Sequence, residues 1–328
     1  MRSGVKQNIG GGMIILAIAL SSCSQFQATP EINEKHEVGE KTQSHHGLPE
    51  PEVSLGGESI SFPFSIDPDF PAPVVQVVVN GKGPYKFVVD TGMSGAFLMR
   101  QSRIKELDAP TIGYAQVGDA SSMAMQQVPL VMINSATVGG MEINNIVTVA
   151  MEPSRAHDAS IPADLDGILG MQVFKDYLLT IDYPSGEIRV TNIEDAVTRN
   201  QKFIPFNYDN QSIEIDLLVD DFKIPFIVDS GHRGTLTMPK SYSKSLELSE
   251  ELQPLGKVAT VTNTYKRDWS TLDASVNIAG HELVNPPVVF TDEFTPKLIG
   301  FGILEHFSIS IDQQHKKISF SRRSSDPI

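Results

Sequence analysis

The chain has 328 residues, of which 40% are apolar and 20% charged, and its formal net charge is −14. That is ordinary globular composition, long enough for one large domain or two modest lobes, and it excludes a disordered polymer. The acidic balance, with no Lys/Arg stripe, excludes recognition of a phosphate backbone, so no nucleic-acid partner is expected.

At the N-terminus Arg2 and Lys6 precede the apolar run 13–20, which ends in Leu20-Ser21-Ser22-Cys23. A basic start followed by a short apolar core is the pattern of a secretory signal, and this core is too short to span a bilayer as a helix. The last four residues resemble a bacterial lipobox. That resemblance implies a signal peptide over 1–22, lipidation of Cys23 and attachment to the cell envelope. Ser24 in place of an aspartate after the cysteine implies the outer membrane rather than the inner. Cys23 is the only cysteine, so no intramolecular disulfide is available. Residues 23–57 are polar and aperiodic and read as a flexible tether. His36, His45 and His46 on that tether read as solvated side chains, and no metal or other cofactor is expected.

From residue 58 the pattern changes to short β-runs punctuated by Gly, Pro, Asn and Asp, at 74–79, 85–89, 128–133, 143–150, 178–182 and 187–190. Helix is predicted only in short pieces, over 101–107, 170–175, 240–246 and 302–306. The fold class is mostly β.

The chain also repeats itself. DGILGMQVFKDYLLTIDYPSGEIRV, residues 166–190, aligns without a gap on PKLIGFGILEHFSISIDQQHKKISF, residues 296–320, at an offset of 130. Gly170 matches Gly300, Ile181 matches Ile311, and Asp182 matches Asp312. Upstream, FPF at 62–64 resembles IPF at 204–206, and VGGMEINN at 138–145 resembles IAGHELVN at 278–285. One β-rich unit is therefore duplicated, giving lobes over 58–196 and 197–323 with the joint near 194–201.

Each copy carries the same short signature. KFVVDTGMSG, residues 86–95, ends an apolar run in Asp90-Thr91-Gly92, and IPFIVDSGHRG, residues 224–234, ends one in Asp229-Ser230-Gly231. Each is followed downstream by two apolar residues and a glycine, Ile168-Leu169-Gly170 and Leu298-Ile299-Gly300. One such triplet is weak; two at matched places of a repeat are specific. Over about residues 60–322 the chain resembles the two-lobed aspartic peptidases, pepsin-like in plan and retropepsin-like in motif. The resemblance implies two β-barrel lobes, each with an apolar-apolar-Gly segment packed beneath its Asp loop. It implies Asp90 and Asp229 as the catalytic pair, Thr91 and Ser230 as hydroxyls bracing the loops back to back, and a monomer acting on an extended peptide or protein. A non-catalytic protein that binds peptides in the same cleft is the alternative.

The residue types suit that chemistry. Two carboxylates brought close cannot both ionise cheaply, so they share a proton, one serving as base and the other as acid toward a water that attacks the scissile carbonyl. Gly92 and Gly231 leave room for backbone N–H groups to approach. Hairpins over the cleft are predicted at 112–125, with a turn at Gly118, and at 259–272; Tyr114, Tyr265 and Trp269 are candidate cleft residues. The residue after each glycine departs from the small side chain usual in the family. Met93 is expected to crowd the pair, and His232 to add a positive charge beside Asp229. Asp166, Asp182 and Asp312 read as strand-end or turn residues.

Overall fold

The computed structural model describes residues 49–68, 70–117, 126–151, 164–196, 201–209, 211–220, 222–259, 264–292 and 296–322. The signal segment, Cys23 and the three tether histidines lie outside them, as do Gly118 and the tips of both predicted hairpins.

The first lobe is built on a nine-stranded sheet. Six of its strands close on themselves in the order Met141–Met151, Phe97–Arg100, Gly167–Gly170, Lys82–Asp90, Pro73–Val79 and Gln126–Val138, the last pairing back to the first. Closure leaves these strands no free edge. The strand Pro73–Val79 shows why its sequence folds this way. Its inward residues Val75, Val77 and Val79 are buried, while Gln76 and Val78 face out. The turn into Lys82–Asp90 falls on Asn80 and Gly81, at φ 47° and 73°, the left-handed pair that a two-residue hairpin demands. That hairpin delivers Asp90 at the end of a strand whose last four residues are all buried.

The second lobe repeats the plan as an open, half-barrel sheet of nine strands, running from Gln253–Ala259 at one edge to His281–Val284 at the other. Its hairpin Ser275–Ile278 to His281–Val284 turns on Ala279 and Gly280 at φ 53° and 94°, matching Gly139 and Gly140 at 58° and 91° in the first lobe. A third, six-stranded sheet joins the lobes, in the order Phe203–Pro205, Lys317–Ser321, Ser308–Asp312, Tyr177–Asp182, Glu187–Asn192 and Ser59–Pro63.

The centre of that third sheet fixes the symmetry. Tyr177–Asp182 pairs antiparallel with Ser308–Asp312 so that Thr180 lies opposite Ser310. These are the same position of the two copies, since 310 − 180 = 130, and their hydroxyls are 2.9 Å apart. A residue paired with its own counterpart lies on a two-fold axis, which is what fusing a two-fold dimer into one chain produces. One continuous hydrophobic cluster runs from Val75 and Phe87 through Ile181 and Ile311 to Phe226 and Phe290.

The mostly-β class holds, and the predicted helical pieces are short. Gln101–Leu107 and Phe301–Leu304 are α-helical, while Met171–Phe174 and Lys240–Lys244 are 3₁₀ turns. One boundary moves. Residues 52–55, assigned to the tether on their polarity, form a strand paired with Met141–Met151. Val53 and Leu55 pack on the core while Glu52 and Ser54 face out, an alternation too short to stand out in a polar segment.

Candidate active site

The two Asp loops meet on the pseudo-two-fold axis. Each hangs between a pair of strands and is held from below by its apolar-apolar-Gly segment. Gly167–Gly170 runs parallel to Lys82–Asp90, with Leu169 opposite Val89 and Gly170 opposite Asp90, and antiparallel to Phe97–Arg100. Leu298–Ile299 does the same between Phe222–Val228 and Leu236–Pro239, with Ile299 opposite Val228. Ile168, Leu169, Leu298 and Ile299 are wholly buried, so this segment is the floor of each loop and not part of its surface.

Thr91 and Ser230 lock the loops together with four reciprocal hydrogen bonds. The Thr91 N–H donates to Ser230 Oγ at 2.9 Å, and the Ser230 N–H donates to Thr91 Oγ1 at 3.0 Å. The Thr91 hydroxyl donates across the axis to the Val228 carbonyl at 2.7 Å, and the Ser230 hydroxyl to the Val89 carbonyl at 2.7 Å. Each hydroxyl is thus donor and acceptor at once, satisfying a backbone N–H of the opposite loop and a carbonyl across the axis.

This lock sets the carboxylates face to face. A methyl group added at Gly92 would lie 2.9 Å from Asp229 Cγ, and one at Gly231 would lie 2.7 Å from Asp90 Cγ. Each carboxylate therefore rests on the glycine of the opposite loop. Both aspartates are completely buried. Asp90 Oδ1 accepts the Gly92 N–H at 2.8 Å, and Asp229 Oδ1 accepts the His232 N–H at 2.9 Å. Asp90 Oδ2 and Asp229 Oδ2 are buried with no donor among the described residues, and a proton shared between the side chains supplies one. Burial pushes Asp90 up to about 6, against the pull of the Gly92 N–H. Burial, and then the charge of Asp90, hold Asp229 well above the ordinary carboxylate range. The pair titrates as one unit with a proton retained near neutrality.

Met93 and His232 do not crowd or charge the pair, and the two expectations about them are corrected. Both side chains turn down into their own lobes, onto the glycine that ends the floor segment. A methyl at Gly170 would lie 2.6 Å from Met93 Cε, and one at Gly300 would collide with the His232 ring. The backbone follows the same rule twice: the Met171 N–H donates to the Met93 carbonyl and the Phe301 N–H to the His232 carbonyl, each at 2.8 Å. Met93 packs with Phe70, Val74, Val88 and Ile168 in a small satellite core. The His232 ring is fully buried with Nε2 2.9 Å from Thr237 Oγ1. Burial, helped by the nearby Arg267 and Arg233, depresses its basicity to about 3, so the imidazole is neutral.

Residues 75–173 match the family model described as Aspartyl protease.

That match covers the strands of the closed first-lobe barrel from Val75 on, Asp90-Thr91-Gly92 and the floor segment Ile168-Leu169-Gly170. The second copy lies outside it and is tied to the aspartyl protease unit by the repeat and by the two-fold register. No curated protein matches the chain.

The remaining candidates divide. The hairpin Thr111–Val117 to Gln126–Val138 carries Tyr114, which is 50% exposed. The second-lobe hairpin Gln253–Ala259 to Thr264–Thr271 carries Tyr265, which is buried, and Trp269, which is half-buried. The three other aspartates sit in structural roles. Asp166 accepts the Lys86 N–H and pairs with Arg103 at 2.7 Å, Asp182 caps the 3₁₀ turn Tyr183–Ser185, and Asp312 accepts the His315 N–H. Among the described residues no three His, Cys, Asp or Glu cluster as a metal site.

Two residues near the pair have no signal in the motif. Tyr183, wedged between Phe64 and Phe301, is buried, and burial and the charges of Asp229 and Asp90 disfavour its ionisation. Its counterpart in the second copy is Gln313, so comparing the copies hides it. Arg267, on the second-lobe hairpin, is buried although its neighbour Lys266 faces solvent.

Proposed function

We propose that the protein is an aspartic endopeptidase that hydrolyses peptide bonds with a water activated between Asp90 and Asp229. The observation that carries this is the reciprocal seating of each carboxylate on the glycine of the opposite loop, with one oxygen of each left for a shared proton. The ionised member takes a proton from the water as it attacks the scissile carbonyl. The protonated member gives its proton to the developing oxyanion, and the proton taken from water then passes to the leaving amine. No covalent intermediate arises. The Thr91–Ser230 lock holds the carboxylates at their spacing through the cycle, which is the preorganisation such chemistry requires. The substrate is an extended peptide lying across both loops, and one chain supplies both acids, so a monomer suffices. The lipobox-like Cys23 supports a lipid anchor at the bacterial envelope, with the outer membrane favoured.

Asp90→Asn and Asp229→Asn, made separately, are each expected to abolish cleavage of an unfolded protein such as reduced casein between pH 3 and 8 while the chain stays folded. Undiminished turnover in either variant refutes the mechanism. Loss of fatty-acid labelling in Cys23→Ala tests the anchor, and labelling that persists refutes it.

A further inference from the structure

We propose that Gln313 and Tyr183 are positioning residues through which each lobe holds the other lobe's Asp loop in place. This rests on the peptidase reading of the pair. The two occupy one position of the repeat, matched at its offset of 130, and each directly follows a strand-end aspartate, Asp312 or Asp182. Tyr177–Asp182 and Ser308–Asp312 cross antiparallel at the centre of the joining sheet, with Leu178 opposite Asp312 and Asp182 opposite Ser308. Each strand therefore ends beyond the axis, and the residue after it is delivered to the other lobe.

What each meets there is again one position of the two copies. Gln313 Nε2 donates to the Met171 carbonyl at 2.9 Å. Tyr183 packs edge-on against Phe301, with ring centroids 6.0 Å apart at 70°, and its N–H donates to the Phe307 carbonyl at 3.2 Å. Met171 and Phe301 are each the residue after a floor glycine, and they too are matched at the offset of 130. Their N–H groups are the ones that hold the Met93 and His232 carbonyls. The Met93 N–H donates to the Asp90 carbonyl at 3.3 Å, and the His232 N–H to Asp229 Oδ1 at 2.9 Å. A chain of direct contacts thus runs from Gln313 to the first Asp loop and from Tyr183 to the second, each crossing the lobe boundary once.

The two ties differ in chemistry. Gln313 acts through its amide, whose Oε1 accepts the Tyr208 hydroxyl at 3.4 Å and so leaves the N–H end for Met171. Tyr183 acts through its ring, with Phe64 at 5.7 Å on the other side, since its hydroxyl is buried without a partner. The Thr91–Ser230 lock joins the loops to each other, whereas these ties join each loop to the opposite lobe from behind. Such support matters because a misplacement of about 1 Å can cost about a hundredfold in rate. Carboxylates that drift apart also ionise more independently, which lowers the upper midpoint of the pair.

The test is Gln313→Met, which keeps the side chain's length and removes its donor at a half-buried position. Kinetics are measured on fluorescein-labelled reduced casein, and the carboxyl midpoints by carbon-13 NMR of Asp-labelled protein, assigned with Asp90→Asn and Asp229→Asn. The expected result is a kcat about tenfold lower with KM within about twofold, and an upper midpoint lowered by at least about half a unit. An unchanged kcat or an unchanged midpoint overturns the proposal even where stability falls, because mere packing would move stability alone. If the wild type does not cleave casein, the peptidase reading fails by itself and the midpoint decides the positioning role. Tyr183→Leu is expected to lose about tenfold in kcat and Tyr183→Phe, which keeps the ring, to recover most of it. Equal loss in both, or no loss in Tyr183→Leu, refutes the part given to the ring. Should Tyr183→Leu not fold, Gln313→Met decides the proposal.

Discussion

The buried pair makes stability depend on pH in a direction opposite to that of ordinary surface carboxylates. Asp90 is pushed from the usual 3.8 to about 6, a shift of roughly two units. At about 1.4 kcal/mol per unit this is roughly 3 kcal/mol. The sign follows from proton counting. Between pH 4 and 6 the folded state holds a proton that the unfolded chain releases, so raising the pH through that window favours unfolding. The contribution is fully present below pH 4 and lost by about pH 6 for Asp90, and Asp229, held higher still, extends the loss upward. Urea unfolding followed by Trp269 fluorescence, for wild type and for Asp90→Asn/Asp229→Asn, isolates the pair from every other titrating group. The stability of wild type relative to the double variant is expected to fall by about 3 kcal/mol or more between pH 4 and 7. A difference that stays flat, or that rises with pH, refutes the claim that the carboxylates are buried together.

The same geometry makes three further predictions. Thr91→Ala strands the Val228 carbonyl and the Ser230 N–H and is expected to cost about 2–4 kcal/mol in equilibrium unfolding, whereas Thr91→Ser restores most of it; equal losses in both refute the lock. Gly92→Ala drives a methyl to 2.9 Å from Asp229 Cγ and is expected to lower kcat by at least about a hundredfold, through displacement of the pair, and unchanged kcat refutes it. His232 is expected to show no imidazole titration by NMR between pH 4 and 8, because burial keeps it neutral; a midpoint near 6.5 contradicts that environment.

Much of the site was legible in the residues. The triplets Asp90-Thr91-Gly92 and Asp229-Ser230-Gly231 stand out because they recur at matched places of a repeat, and the floor segments are visible as apolar pairs ending in glycine. Short helices were legible as breaks in the strand pattern. What local pattern could not give was side-chain direction. Met93 and His232 look obstructive when read along the chain, yet each occupies space left by a glycine far ahead in sequence, at 170 and 300. The strand at 52–55 was missed because four residues with two inward side chains carry almost no periodicity. Arg267 and Tyr183 were missed because burial, not composition, makes them unusual.

The sequence by itself determined the mostly-β class, the duplication, and which carboxylates belong together, since these rest on spacing and recurrence along one chain. Only the tertiary structure decided how the copies meet. The offset of 130 becomes a two-fold axis through Thr180 and Ser310, and the glycine after each Thr or Ser becomes the seat of the other lobe's aspartate. The physical reason is that proton sharing and loop locking arise from close approach between segments more than a hundred residues apart, and the neutrality of His232 from burial within its own lobe, and no local pattern encodes either.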